Sequence, residues 1–131
     1  MVFTNGAQKV EVFAAKRAIK SGAVGSTNVA EVKWLINTLA QHSAPWKLSG
    51  WAYLCDISQM QPATPEVSKE LVGLHKLLAT SGCKAMAFIE GAAFFTAAQA
   101  KEHQKQSKAA IQEGHFRTEA EALKWVETIV K

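Results

Sequence analysis

Residues Gly50 to Glu66 read GWAYLCDISQMQPATPE, and this stretch decides the fold. Trp51 to Cys55 and Ile57 are apolar and interrupted by Asp56. The run is too short for a lone helix and is preceded by glycine, so it predicts a strand buried on both faces. Thr64-Pro65-Glu66 then reads as a helix start, with an N-cap oxygen, proline at the first helical position and an acid in the first turn. Strand, acid, loop and helix N-terminus is the place where open α/β folds usually bind ligands.

The rest of the chain extends this unit. Val2-Phe3, Asn5-Gly6 and Val10-Val12-Phe13 predict a β-hairpin turning at Asn-Gly in a type I′ turn. Lys16 to Gly25 is ambiguous: Ala18-Ile19 extends or follows the second strand, and Gly22 and Gly25 bracket a loop. Asn28 caps a helix with Glu31 three residues on, and Val29, Val32, Ile36 and Leu39 form its apolar stripe. After Thr64 a second helix carries Val67, Leu71, Leu74 and Leu78 and stops at Gly82. Lys84 to Glu90 is a second buried strand, parallel to the first. Gly91-Ala92-Ala93 is a loop, and Phe94-Phe95 opens a helix running to about Gln112. Gly114 ends it, His115 to Arg117 is a short strand, and Thr118 with Glu121 boxes the start of a last helix. The expected order is β-β-α-β-α-β-α-β-α, a mixed sheet with parallel later strands and about four helices, as a single domain over residues 1–131.

Composition excludes several classes. The chain is 48% apolar and 20% charged, as in ordinary globular proteins. No apolar run approaches a bilayer span, and no secretory signal is visible, so the expected location is cytoplasmic. The net charge of +4 is dispersed. With only Arg17 and Arg117 as arginines, a nucleic-acid partner is not expected. Lys16, Arg17 and Lys20 form one basic cluster and Lys101, Lys105 and Lys108 another, both read as solvated surface. Cys55 and Cys83 read as small buried hydrophobes. The histidines His42, His75, His103 and His115 have no ligand spacing, so neither a metal site nor a cofactor is expected.

The chain resembles the SpoIIAA-like proteins of the STAS superfamily, the anti-sigma-factor-antagonist fold. Three segments carry the resemblance: Tyr53 to Ser58 (YLCDIS), Gly82 to Phe88 (GCKAMAF), and Phe116 to Val126 (FRTEAEALKWV). The last is similar to the closing segment of an uncharacterised bacterial branch. The resemblance implies a regulatory, non-catalytic domain. It also implies a phosphorylatable Ser at the start of the helix after the Asp turn. Counted without gaps, Pro65 takes that Ser position and Thr64 the preceding Asp, leaving Thr64 as a weak candidate for phosphorylation.

P-loop, dinucleotide and nucleophile-elbow motifs are absent. Asp56 and Glu90 both end buried strands at one end of the sheet, as an acid/base pair or as independent strand-end acids, the second being preferred. Trp46, Trp51, Phe94 and Phe95, with Met60 and Met86, line an apolar cleft or cover the sheet or a subunit interface. The expected role is a regulatory or protein-interaction domain, homo-oligomeric, binding through Asp56, Ser58, Thr64, Glu90, Gly91, Phe94 and Phe95. The alternative is a carrier or sensor of a small apolar or amphipathic ligand, such as a lipid at a membrane surface, because related folds hold apolar ligands. An enzyme using Asp56 and Glu90 is the outsider.

Overall fold

The computed structural model describes residues 1–90 and 111–130. It contains a six-stranded sheet in the order β1-β2-β3-β4-β5-β6, formed by Val2–Asn5, Gln8–Phe13, Ala18–Ala23, Trp51–Asp56, Cys83–Ile89 and Gln112–Phe116. Strand β2 runs antiparallel to both β1 and β3, and β3 to β6 are parallel. Among the described residues the α-helices are α1 (Val29–Ser43), α2 (Pro65–Thr80) and α3 (Glu119–Val126). The architecture is the expected mixed α/β sheet.

The order of elements differs at one point. Ala18–Ala23 is a full central strand, so three strands precede α1 rather than two, and Gly22 lies inside β3 instead of opening a loop. The small residues that disguise this strand are there for packing. A Cβ on Gly22 would sit 3.3 Å from both the Cβ and the carbonyl oxygen of Asp56 on β4. Ala18 and Ala23 are buried beside it. Burial on both faces sustains the strand without a β-branched run.

The hairpin also turns differently. Its two-residue loop is Gly6-Ala7, and of the turn residues Gly6 alone has positive φ, so Asn-Gly is not the centre of a type I′ turn. The last strand begins earlier than expected, at Gln112, and Gly114 lies within it. A Cβ there would meet the Phe116 ring at 2.7 Å and the Trp125 ring at 3.2 Å, so only glycine lets these aromatics close over the strand. The expected helix from Phe94 falls on residues outside those described.

Helix starts follow the local chemistry. Asn28 Oδ1 accepts from Glu31 N–H at 2.8 Å, Thr64 Oγ1 from Val67 N–H at 3.4 Å, and Thr118 Oγ1 from Glu121 N–H at 3.3 Å. Two cores flank the sheet. Under α1 and α2 lie Val10, Ile19, Leu35, Leu39, Trp51, Tyr53, Leu74, Leu78, Met86 and Phe88. Under α3 lie Ala18, Ala52, Leu54, Ala85, Ala87, Ile89, Ala122 and Val126. Trp51 and Met86 are thus core residues, with Trp46 and Met60 packed on the same core, and they do not line an open cleft.

Gly82 joins α2 to β5 at φ +87°. A side chain there would also collide with the Lys47 backbone. Gly82→Ala is expected to cost about 1–3 kcal/mol from the backbone conformation, more with the collision. A urea melt reads this directly, and an unchanged midpoint would refute the account.

Candidate functional site

The sheet end where β3 to β6 finish carries two groups of polar side chains. The first is the turn after β4. Asp56 Oδ1 accepts from Ser58 N–H at 3.0 Å and from Ser58 Oγ–H at 2.6 Å, closing an Asx turn. Its other oxygen lies 3.8 Å from Lys20 Nζ, which also binds Glu119 at 2.7 Å. Lys20 therefore ties β3 and β4 to the start of α3 and does not join a basic cluster with Lys16, which pairs instead with Glu127.

The following loop is pinned to the loop after β3. Gly25 N–H donates to Gln59 O at 2.9 Å and Gln61 N–H to Gly25 O at 3.0 Å, while Ser26 Oγ–H donates to Gln61 Oε1 at 3.0 Å. These bonds hold a short parallel bridge between Gly25 and Met60. Thr64 ends the loop, exposed, its hydroxyl oxygen engaged as the α2 cap. A cleft of about 220 Å³ opens beside the turn, lined in part by Lys9, Glu11, Lys20, Gly22, Asp56 and Gln59. That is smaller than an ordinary small-molecule pocket.

The second group lies on the opposite face. Glu90 Oε1 meets His115 Nδ1, and Glu113 Oε1 lies 2.9 Å from His115 Nε2. The imidazole stacks on Phe88 at a centroid distance of 5.0 Å, and Phe88 stacks in turn on His75 at 6.3 Å. Phe88 belongs to the core under α1 and α2, whereas Lys20 and Glu119 hold Asp56 on the α3 side. Asp56 and Glu90 are consequently on different faces and do not form a two-carboxylate centre. Ser58 is brought to Asp56, and Thr64 shares their loop. Gly91, Phe94 and Phe95 lie outside the described residues. Among those described, no group of three or more His, Cys, Asp or Glu could hold a metal ion.

The role of His115 was not legible in the sequence, where it reads as the start of a short strand with no ligand spacing. The available signal is the Glu-x-His spacing, which puts Glu113 and His115 on one face of β6. His75, at the edge of the α2 stripe, is buried.

Between the sheet and α1/α2 a buried polar contact joins Ser21 Oγ to Tyr53 Oη. Burial raises the Tyr53 hydroxyl well above its usual range, with the nearby Cys55 adding to the rise. Burial likewise pushes the Cys55 thiol up to about 11 and the Cys83 thiol up to about 12. Both cysteines are free thiols. Tyr53→Phe leaves Ser21 without this partner and is expected to cost about 1–2 kcal/mol. Ser21→Ala combined with Tyr53→Phe should recover part of the loss in urea melts. A double variant that loses the sum of the single losses would contradict the pairing.

No family model matches this chain, and no curated protein matches it. The architecture is similar to the crystal structure of an uncharacterised protein of the DUF3478 family from Shewanella loihica PV-4, which has a SpoIIAA-like fold. The two share 17% sequence identity, with a TM-score of 0.69 over 91% of each chain. With this sheet order, the two-sided core and that superposition together, the chain has a SpoIIAA-like fold.

Proposed function

We propose that this protein is a non-catalytic interaction domain that binds a protein partner through the loop from Asp56 to Glu66. The observation that carries the reading is the bridge between the loops after β3 and β4. It stiffens an otherwise irregular segment that presents Gln59, Gln61, Pro62, Thr64, Pro65 and Glu66 to solvent. A preordered loop loses little conformational entropy on binding. Asp56, Ser58, Gln61 and Thr64 of this loop already have structural partners. Asp56 is taken up by Ser58 and Lys20, and Thr64 by the helix cap, so the surface offers shape and hydrogen bonds rather than a reactive group. Pro65 stands where the resemblance implies a phosphorylatable Ser, so binding here is not switched at that position. The separation of Asp56 from Glu90 removes the geometric premise of the enzyme reading.

The test is affinity capture from the native host with wild type and with a Gln59→Arg/Pro62→Glu variant of unchanged thermal stability. A partner held by wild type and lost by the variant supports the reading. Identical captured proteins with both would sink it.

Self-association is the second part of the proposal. Strand β1 is an outer strand of the sheet; Val2 on it is 53% exposed, and Met1 just before it 74%. Such an edge favours pairing with another copy. Sedimentation of the dilute protein should then give a mass above 14.2 kDa. A monomer at all concentrations would exclude it.

A further inference from the structure

We propose that the opposite end of the sheet, where β3, β4 and β5 begin, is a contact surface for an anionic lipid bilayer. This goes beyond the interaction loop and is independent of it. Three connections meet here: the turn Ala14–Lys16 with Arg17, the segment from Ala44 to Gly50, and the α2–β5 turn at Gly82. They touch one another. Arg17 Nη1 donates to Ser49 O at 3.4 Å, and Ala52 N–H donates to Arg17 O at 3.0 Å. Gly82 packs against the Lys47 backbone, and the Lys84 side chain lies over Gly50.

This end combines two features. Leu48 is 99% exposed at the tip of the middle connection, so its whole side chain stands in water. Lys47 precedes it in the same connection, Arg17 reaches the neighbouring Ser49 carbonyl, and the Lys84 side chain lies over Gly50. The acid that the described residues place against these loops is Glu127, already engaged by Lys16. Asp56, Glu66 and Glu119 lie toward the far end, near the C-termini of the strands or the N-termini of the helices. These acids thus lie away from the three connections, in a chain that carries +4 as a whole. Trp46, half-buried, sits at the base of the Leu48 loop.

A protruding leucine flanked by Lys47 and Lys84 matches a bilayer surface. The cations meet lipid phosphates while the apolar tip enters the acyl boundary. An acidic protein would match the charge but would need an apolar pocket for Leu48. A nucleic acid would call for a richer basic face, and Arg17 is the one arginine at this end. No described helix is long and apolar enough to cross a membrane, so the contact is peripheral.

The experiment is flotation of the full chain with phosphatidylcholine vesicles, with and without about one-third phosphatidylglycerol. Binding is expected with the anionic vesicles, falling as salt screens the charges. Each cation contributes about fivefold, so Lys47→Glu/Lys84→Glu should weaken binding at least about 25-fold. Leu48→Ala should weaken it by about tenfold. Lys33→Glu/Lys69→Glu makes the same charge change on exposed positions of α1 and α2 and should leave binding within about threefold of wild type. No flotation with anionic vesicles overturns the proposal. So does an equal loss in both double variants. If polyglutamate or duplex DNA competes fully and Leu48→Ala changes nothing, the surface is a general polyanion site and the membrane assignment fails.

Discussion

Trp51→Ala is expected to lower the free energy of unfolding by about 3–5 kcal/mol. Trp51 opens β4, is fully buried, and donates its indole N–H to the Ser81 carbonyl at 2.9 Å. The substitution removes the largest buried side chain, leaves a cavity beside Tyr53, and strips a partner from the carbonyl that ends α2. For a domain whose total stability is on the order of 5–15 kcal/mol, that loss populates the unfolded state at ordinary temperature. Trp51→Phe keeps most of the packing and loses the hydrogen bond, so it should fall between wild type and Trp51→Ala. Urea titration followed by far-ultraviolet circular dichroism checks both. A Trp51→Ala midpoint equal to that of wild type would show that β4 is not the packing centre.

Stability is expected to fall steeply in alkali, beginning near pH 9. The Cys55 and Cys83 thiols are pushed up to about 11 and about 12 in the folded chain, from an ordinary value of 9.0. Above that ordinary value the unfolded chain releases these protons while the native chain keeps them. The native state then binds more protons, so unfolding becomes easier as pH rises. The contribution is whole below pH 9 and is lost through the folded values. Each thiol contributes about 1.4 kcal/mol per pH unit, so the two together remove on the order of 5 kcal/mol by pH 11. Tyr53, raised above 10.0 by burial, acts in the same direction at the top of the range. Urea midpoints between pH 8 and pH 11 measure the slope. Cys55→Ala/Cys83→Ala should flatten most of it, and an equal slope in that variant would assign the effect elsewhere. The same protonated thiols should react slowly with alkylating reagents in the folded state.

Legibility in the sequence followed the range of the interaction concerned. The caps at Asn28, Thr64 and Thr118 were readable because a cap joins residues three apart in the chain. Strands β4 and β5 were readable because burial on both faces demands an unbroken apolar run. Strand β3 was not, because Ala18, Ser21, Gly22 and Ala23 owe their small size to the neighbours that close around them. The candidate site divides in the same way. The Asp56–Ser58 turn is a contact over two residues and was visible as a strand-end acid and turn hydroxyl. Lys20, 36 residues before Asp56, reads as part of a basic cluster until the fold delivers it to Asp56 and Glu119.

The sequence by itself determined the class of fold, the start of each described helix, the acid turn after β4, and the proline at the place where the resemblance implies a switch residue. All of these depend on periodicity or on neighbours a few residues apart. Only the tertiary structure decided which face each strand-end acid occupies. It put Asp56 with Lys20 on one side and Glu90 with His115 on the other. Only it gathered Arg17, Lys47, Leu48 and Lys84 from three connections into one surface. The side a strand residue faces depends on register within the sheet, and the meeting of distant loops depends on strand order. Both are set by long-range pairing, which a local pattern of residues does not encode.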